Sequence, residues 1–155
     1  IKIEDLVLQL PNSKSIHANK EFEMLFNFRI ALLHFSKGEF QRSLKYVNSV
    51  INESGKDLRQ DIYGHVRVLN VFVHHMLNND DVVEYAIKSL IRFYKSKSDK
   101  YQDSVVFLKS IKSALKIKNG ETKKSSNQRL LEIMPTPANI EDYYLMNSLR
   151  KGLSL

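Results

Sequence analysis

Apolar residues in this chain recur at intervals of three and four through one segment after another, and that period limits the fold more than any motif does. In FQRSLKYVNSVI, Phe40, Leu44, Val47 and Ile51 form one stripe of a helix. Ile62, Val66, Leu69, Val73 and Leu77 make the next, thickened by Val68, Phe72 and Met76. Val83, Ile87 and Leu90, extended by Ala86 and Phe93, follow, and then Val105, Leu108, Ile111 and Leu115. β-Branched residues are common, but they do not alternate as a half-buried strand requires. Five glycines and three prolines in 155 residues leave little to interrupt helices. The expected fold class is all-α.

The punctuation divides the chain. Ile1–Leu10, stopped by Pro11, reads as a helix tail or a strand-like lead-in, so 1–19 is taken as an N-terminal lead-in. Glu21–Phe35 is a helix, with Phe22, Leu25, Phe26, Ala31, Leu33 and Phe35 almost encircling it. Such a helix is usually sandwiched between neighbours. Gly38 breaks it in a left-handed cap, and Glu39–Asn52 follows at once. Further helices are expected from Gln60 or Asp61 to Leu77, from Asp81 to Tyr94 and from Tyr101 to Ile117. These make 20–118 one helical-hairpin domain. NGETKKSS suggests a linker over 119–127. The last part, 128–155, should hold a short helix over Gln128–Ile133, a break at PTP, and a helix over Asn139–Leu149. The apolar side of that last helix would be Ile140, Tyr143, Tyr144 and Leu149.

Composition narrows the chemistry. With no cysteine there are no disulfides, thiolate metal sites or cysteine nucleophiles. The first ten residues do not read as a signal peptide, no apolar run reaches the length of a membrane span, and a cytoplasmic protein is expected. The absence of an initiating Met suggests a processed product or a piece of a longer chain. The net charge is +7 and uneven: from Arg92 to Arg129, eleven Lys or Arg face three acids, a local +8. Lys109, Lys112 and Lys116 line one side of their helix and could meet phosphates. Nine of the eleven are lysines, which lack the fork for bidentate recognition.

One stretch resembles a reaction centre. NVFVHHMLNNDD, Asn70–Asp81, sets two histidines before two aspartates. Adjacent helical residues point about 100° apart, so His74 and His75 do not converge on one ion. Ligand pairs on a helix want a spacing of three or four, and HExxH is absent. The better reading ends one helix at Asn78 and starts the next at Asp80 or Asp81, whose charge suits the helix N-terminus. Asp61 and His65, four apart, could pair, or Asp61 could cap the third helix; Tyr63 and Arg67, also four apart, share a face. There is no Gly-rich phosphate loop and no Gly-x-Ser-x-Gly. No catalytic residue, metal ligand or cofactor is expected.

The hairpin segments also align. Setting Gly38 over Asn78 brings His34 over His74, Phe35 over His75, Val47 over Ile87 and Val50 over Leu90, at an interval of forty. Helix pairs too thin to bury their own faces stack side by side. Ala31, His34, Gly38, Phe40, Ser43, Val47 and Val50 stand in the order and spacing of the tetratricopeptide repeat family, which this segment resembles. Val71, His74, Asn78, Asp80, Val83, Ile87 and Leu90 form a more divergent second copy. The interval exceeds the family's thirty-four because of added residues around Glu53–Arg59.

The resemblance implies a short superhelix of antiparallel hairpins, a non-catalytic scaffold that binds a protein or peptide in a groove built by the first helix of each pair. The residues it places in that groove are Asn27, His34, Arg67, Asn70 and His74. The second reading is a basic helical module that binds nucleic acid through the 92–129 region. Self-association is compatible with either, and no membrane partner is expected.

Overall fold

The computed structural model describes residues 20–53, 59–97, 102–116, 121–137 and 140–155; the lead-in 1–19 lies outside them. Seven helices follow in order among these residues: α1 (Lys20–Ser36), α2 (Phe40–Asn52), α3 (Gln60–Met76), α4 (Asp80–Lys95), α5 (Gln102–Leu115), α6 (Lys123–Glu132) and α7 (Ile140–Leu153). The fold is all-α. Each helix from α1 to α6 packs on the next, and α1 also meets α3. This is a sequential stack of hairpins.

The stripes behave as their period requires. Val47 and Val50 of α2 and Val83, Ile87 and Leu90 of α4 are buried on single faces. α1 is buried nearly all round, through Met24, Phe28, Ile30, Ala31, Leu32 and Phe35, because it lies between α2, α3 and α7. Within the first hairpin, the Ser43 hydroxyl donates to the Ala31 carbonyl at 2.8 Å and ties α2 to the middle of α1.

The two hairpin turns are built alike, forty residues apart. Gly38 has φ +77° and Asn78 has φ +61°, both left-handed. The Gly38 N–H donates to the Phe35 carbonyl and the Glu39 N–H to His34; Asn78 donates to His75 and Asn79 to His74. These paired bonds form the Schellman motif, which satisfies carbonyls left open by the end of a helix. Asn is the non-glycine residue that best tolerates this backbone. Asn79, not an aspartate, occupies the N-cap position of α4, and Asp80 and Asp81 fill its first turn.

The later part of the chain departs from expectation in two places. α6 begins at Lys123, so the second half of the segment read as a linker is helical. Its polar residues serve the core: Ser126 is fully buried, its hydroxyl donating to the Lys123 carbonyl, and Asn127 reaches both His75 and the Leu153 carbonyl. Arg129 donates to the carbonyls of Ala114 and Lys116, closing the C-terminal end of α5, and pairs with Glu121 at 3.1 Å. α7 runs on to Leu153 and buries Leu145, Met146, Leu149 and Leu153, while Tyr143 and Tyr144 are half exposed. The inward side is set by the Leu145–Leu149–Leu153 row at intervals of four.

α7 packs on α1 and α3, the first helices of the two hairpins. Arg29 stacks over the ring of Tyr144 at 3.7 Å, and Gly152 lies against Phe35, so α7 runs parallel to α1. A Cβ on Gly152 would stand 2.4 Å from the Phe35 ring and 2.8 Å from its carbonyl oxygen; only glycine permits this approach. The inner face shared by α1 and α3 is therefore covered by α7.

Candidate interaction surfaces

The five residues assigned to a groove have different surroundings. Asn27 is buried. His34 is buried, stacks on Tyr46 of α2 and bonds the Glu39 carboxylate through Nδ1. That bond is the main cause that lowers the Glu39 pKa. Arg67 turns toward α4, donates to the Ser89 hydroxyl at 2.7 Å and lies over Phe93. It also lies over Tyr63, which shares its face by spacing, at 5.8 Å. Asn70 buries an Oδ1 that has no hydrogen-bond partner among the described residues. His74 is partly exposed, and its Nδ1 accepts from the Asn79 amide at 3.1 Å, as His34 bonds Glu39 at the turn of the first hairpin. Arg67, Asn70 and His74 share a side of α3 by spacing.

Other side chains meet α7. His65 does not pair with Asp61, which binds the Arg59 guanidinium at 3.1 and 2.8 Å. Its Nε2 instead bonds Asp142 of α7 at 2.7 Å, while its ring stacks on Phe28. Sequence reasoning missed Arg29, Phe35, His65 and Asp142 as the seat of α7. No local pattern links positions so far apart in the chain. A cavity of about 330 Å³ opens beside this pair, among Tyr94, Phe107, Met146 and the Pro135–Pro137 segment.

His75 stands at the turn of the second hairpin where Phe35 stands in the first, and like it is buried. Its Nε2 faces Asn127 Oδ1 at 2.8 Å, so Nε2 carries the proton of a neutral ring. Burial pushes its pKa below the ordinary 6.5, and Asn127 opposes this only in part. Burial likewise lowers His74. Their protonation is thus easier in the unfolded chain. Stability rises with pH where the unfolded state binds more protons, so this contribution is full above about pH 6.5 and is lost as pH falls below it. The melting temperature should drop between pH 7.5 and 5.5, and His75→Gln should flatten that slope. An unchanged slope in the variant would remove His75 as its source.

A second cavity of about 330 Å³ lies between α4 and α5 at the turn end of α3. Val83 and Ile87 of α4 and Leu115 of α5 supply apolar walls, with His75 behind them. Asp80, Glu84, Lys112 and Lys116 complete the lining. Glu84 pairs with Lys88 at 2.8 Å, and its pKa is lowered first by that bond, with Lys112 and Lys116 adding to the effect. Two of the three lysines read as a phosphate-facing stripe therefore border this cleft; Lys109, on an outward side of α5, is exposed and is not part of its lining.

Among the described residues no group of three His, Asp or Glu is arranged to hold a metal ion, and no helix is long and apolar enough to cross a membrane. Comparison with protein-family models, curated proteins and solved structures finds no match.

Proposed function

We propose that the chain is a non-catalytic, tetratricopeptide-like scaffold that binds a protein or peptide, and that it does so at the cleft between α4 and α5. The observation that carries this reading is the cleft itself: apolar walls contributed by successive hairpin layers, ringed by charge. An apolar centre with a polar rim is the usual anatomy of a binding patch. The inner face is a poorer candidate. Exposing Leu145, Met146, Leu149 and Leu153 would cost about 1.5–3 kcal/mol each. A micromolar peptide contributes only about 8 kcal/mol in all.

The nucleic-acid reading is weighed by the same residues. Arg129 donates to the carbonyls at the end of α5 and pairs with Glu121, and Lys112 and Lys116 share their cleft with the Asp80 and Glu84 carboxylates, which a phosphate backbone would also have to pass. The local +8 of the sequence thus overstates the positive surface offered to a phosphate backbone.

Panning a displayed library of random twelve-residue peptides against the purified protein tests the proposal. Titration of a 20-nucleotide RNA and a 20-base-pair DNA should run beside it, at low and near-physiological salt. The expected result is a family of enriched peptides and nucleic-acid binding that fades as salt rises. Absence of enriched peptides, with RNA or DNA held tightly at near-physiological salt, would replace the scaffold reading by the basic-module one.

A further inference from the structure

The proposed peptide-binding role leaves the chemistry of the ligand open, and the lining of the α4–α5 cleft narrows it. We infer that the cleft takes an acidic peptide, seating one bulky apolar side chain on Val83, Ile87 and Leu115 while carboxylates on either side of it meet Lys112 and Lys116. This inference rests on the scaffold reading of the preceding section.

The charges are unequally occupied. Glu84 already has the Lys88 ammonium at 2.8 Å. Asp80 lies near Lys123, whose ammonium donates to Asn78 Oδ1. The ammonium groups of Lys112 and Lys116 make no ion pair within 4 Å and no hydrogen bond among the described residues, and act on Glu84 only at longer range. The lining itself is balanced, Asp80 and Glu84 against Lys112 and Lys116, but Lys88 and Lys123, from outside it, already stand beside the two carboxylates, so Lys112 and Lys116 are the lining charges left for a ligand. Ion pairs already made on a protein surface add little to a ligand, whereas unpaired ammonium groups steer an oppositely charged one toward the site and fix its register.

The apolar walls decide what kind of anion fits. A phosphate backbone would leave Val83, Ile87 and Leu115 without a partner and would pass close to the carboxylates of Asp80 and Glu84. A peptide can answer both features at once, because its side chains differ along its length. The back wall adds no charge near neutral pH, since His75 is buried, bonded to Asn127 and held neutral. A bulky apolar side chain can therefore enter without stranding a charged group. None of the residues lining the cleft belongs to α7, so binding there leaves the covered inner face undisturbed.

The test uses the peptides enriched by panning. Their sequences should combine Asp or Glu with a Leu, Ile, Phe or Met. The best of them, added to isotope-labelled protein, should shift amide resonances in the first two turns of α4 and the last turn of α5. The double variant Lys112→Glu/Lys116→Glu should weaken it by roughly tenfold or more, since two favourable surface pairs become unfavourable. Lys45→Glu/Lys151→Glu, with the same change in net charge on exposed lysines elsewhere, should stay within about twofold of wild type if the cleft and not the overall charge is responsible. Circular dichroism and melting of both variants confirm that they fold.

Enriched peptides that shift α4 and α5 but lack acids or ignore the Lys112/Lys116 reversal would overturn the acidic-peptide inference and leave the scaffold proposal standing; peptides that shift other helices would overturn the inference and the choice of the cleft together. Competition by the 20-nucleotide RNA for the same resonances, with tighter affinity than the peptide, would assign the lysines to nucleic acid instead. A library without any enriched peptide would overturn the inference together with the reading it rests on.

Discussion

Leu149→Ala should cost the fold about 2–5 kcal/mol, measured as a shift in the urea unfolding midpoint. Leu149 is fully buried at the centre of the α7 row. It lies between Arg29–Tyr144 toward one end of the seat and Phe35–Gly152 at the other. With contacts fixed on both sides the helix cannot easily shift to fill the cavity, and a site that cannot collapse sits high in that range. Gly152→Val is the complementary probe. It adds volume where the Phe35 ring and carbonyl already stand 2.4–2.8 Å from a would-be Cβ, and overpacking of this kind costs about 1–3 kcal/mol or more. If either variant unfolds at the wild-type midpoint, α7 is not seated on α1 as described.

Phe28→Ala should have an effect of similar size, about 3–5 kcal/mol. Phe28 is fully buried on α1, and its ring lies 6.2 Å from that of His65 with nearly parallel planes. His65 in turn bonds Asp142. Removing the ring takes away apolar volume and one wall of a partly buried polar pair that joins α3 to α7. The hydrogen bond strengthens in a dry surrounding and weakens as water gains entry, so the loss should exceed that of an isolated apolar truncation. A double-mutant cycle with Asp142→Asn measures the coupling. A coupling indistinguishable from zero would show that the ring and the pair act independently.

Much of the stack was legible before any coordinates, and the reason is geometric. A helix with one wet side writes its orientation into its sequence, as Phe40, Leu44, Val47 and Ile51 do in α2. Turns are legible when they need a special backbone: Gly38 and Asn78 were aligned by residue type, and both have positive φ. The same alignment resolved NVFVHHMLNNDD. His74 repeats the job of His34 at a hairpin turn, and His75 takes the buried place of Phe35.

What stayed hidden depended on long-range packing. α1 is apolar on nearly every side, so its period could not say which side would meet α2 and which would meet α7. Arg29 and His65 gave no sign that their partners lay on the last helix. KKSSNQ resembled a linker because Ser126 and Asn127 pack by hydrogen bonding instead of by apolar area. Tyr143 and Tyr144 looked like an inward face, yet an aromatic ring can also cover a cation at an edge, as Tyr144 does for Arg29. The α4–α5 cleft could be anticipated only as a row of lysines, because its other wall comes from a helix that the sequence places a full loop away.

The placement of α7 also carries a consequence for how the chain becomes a folded molecule. The hairpins close through contacts between near neighbours, which form quickly, whereas the pairing of α1 with α7 joins distant parts of the chain and must pay a larger closure entropy first. During synthesis the apolar flanks of α1 and α3 are made before α7 and lack its cover until α7 leaves the ribosome. For that interval the nascent chain presents a sticky strip that closes only when α7 docks.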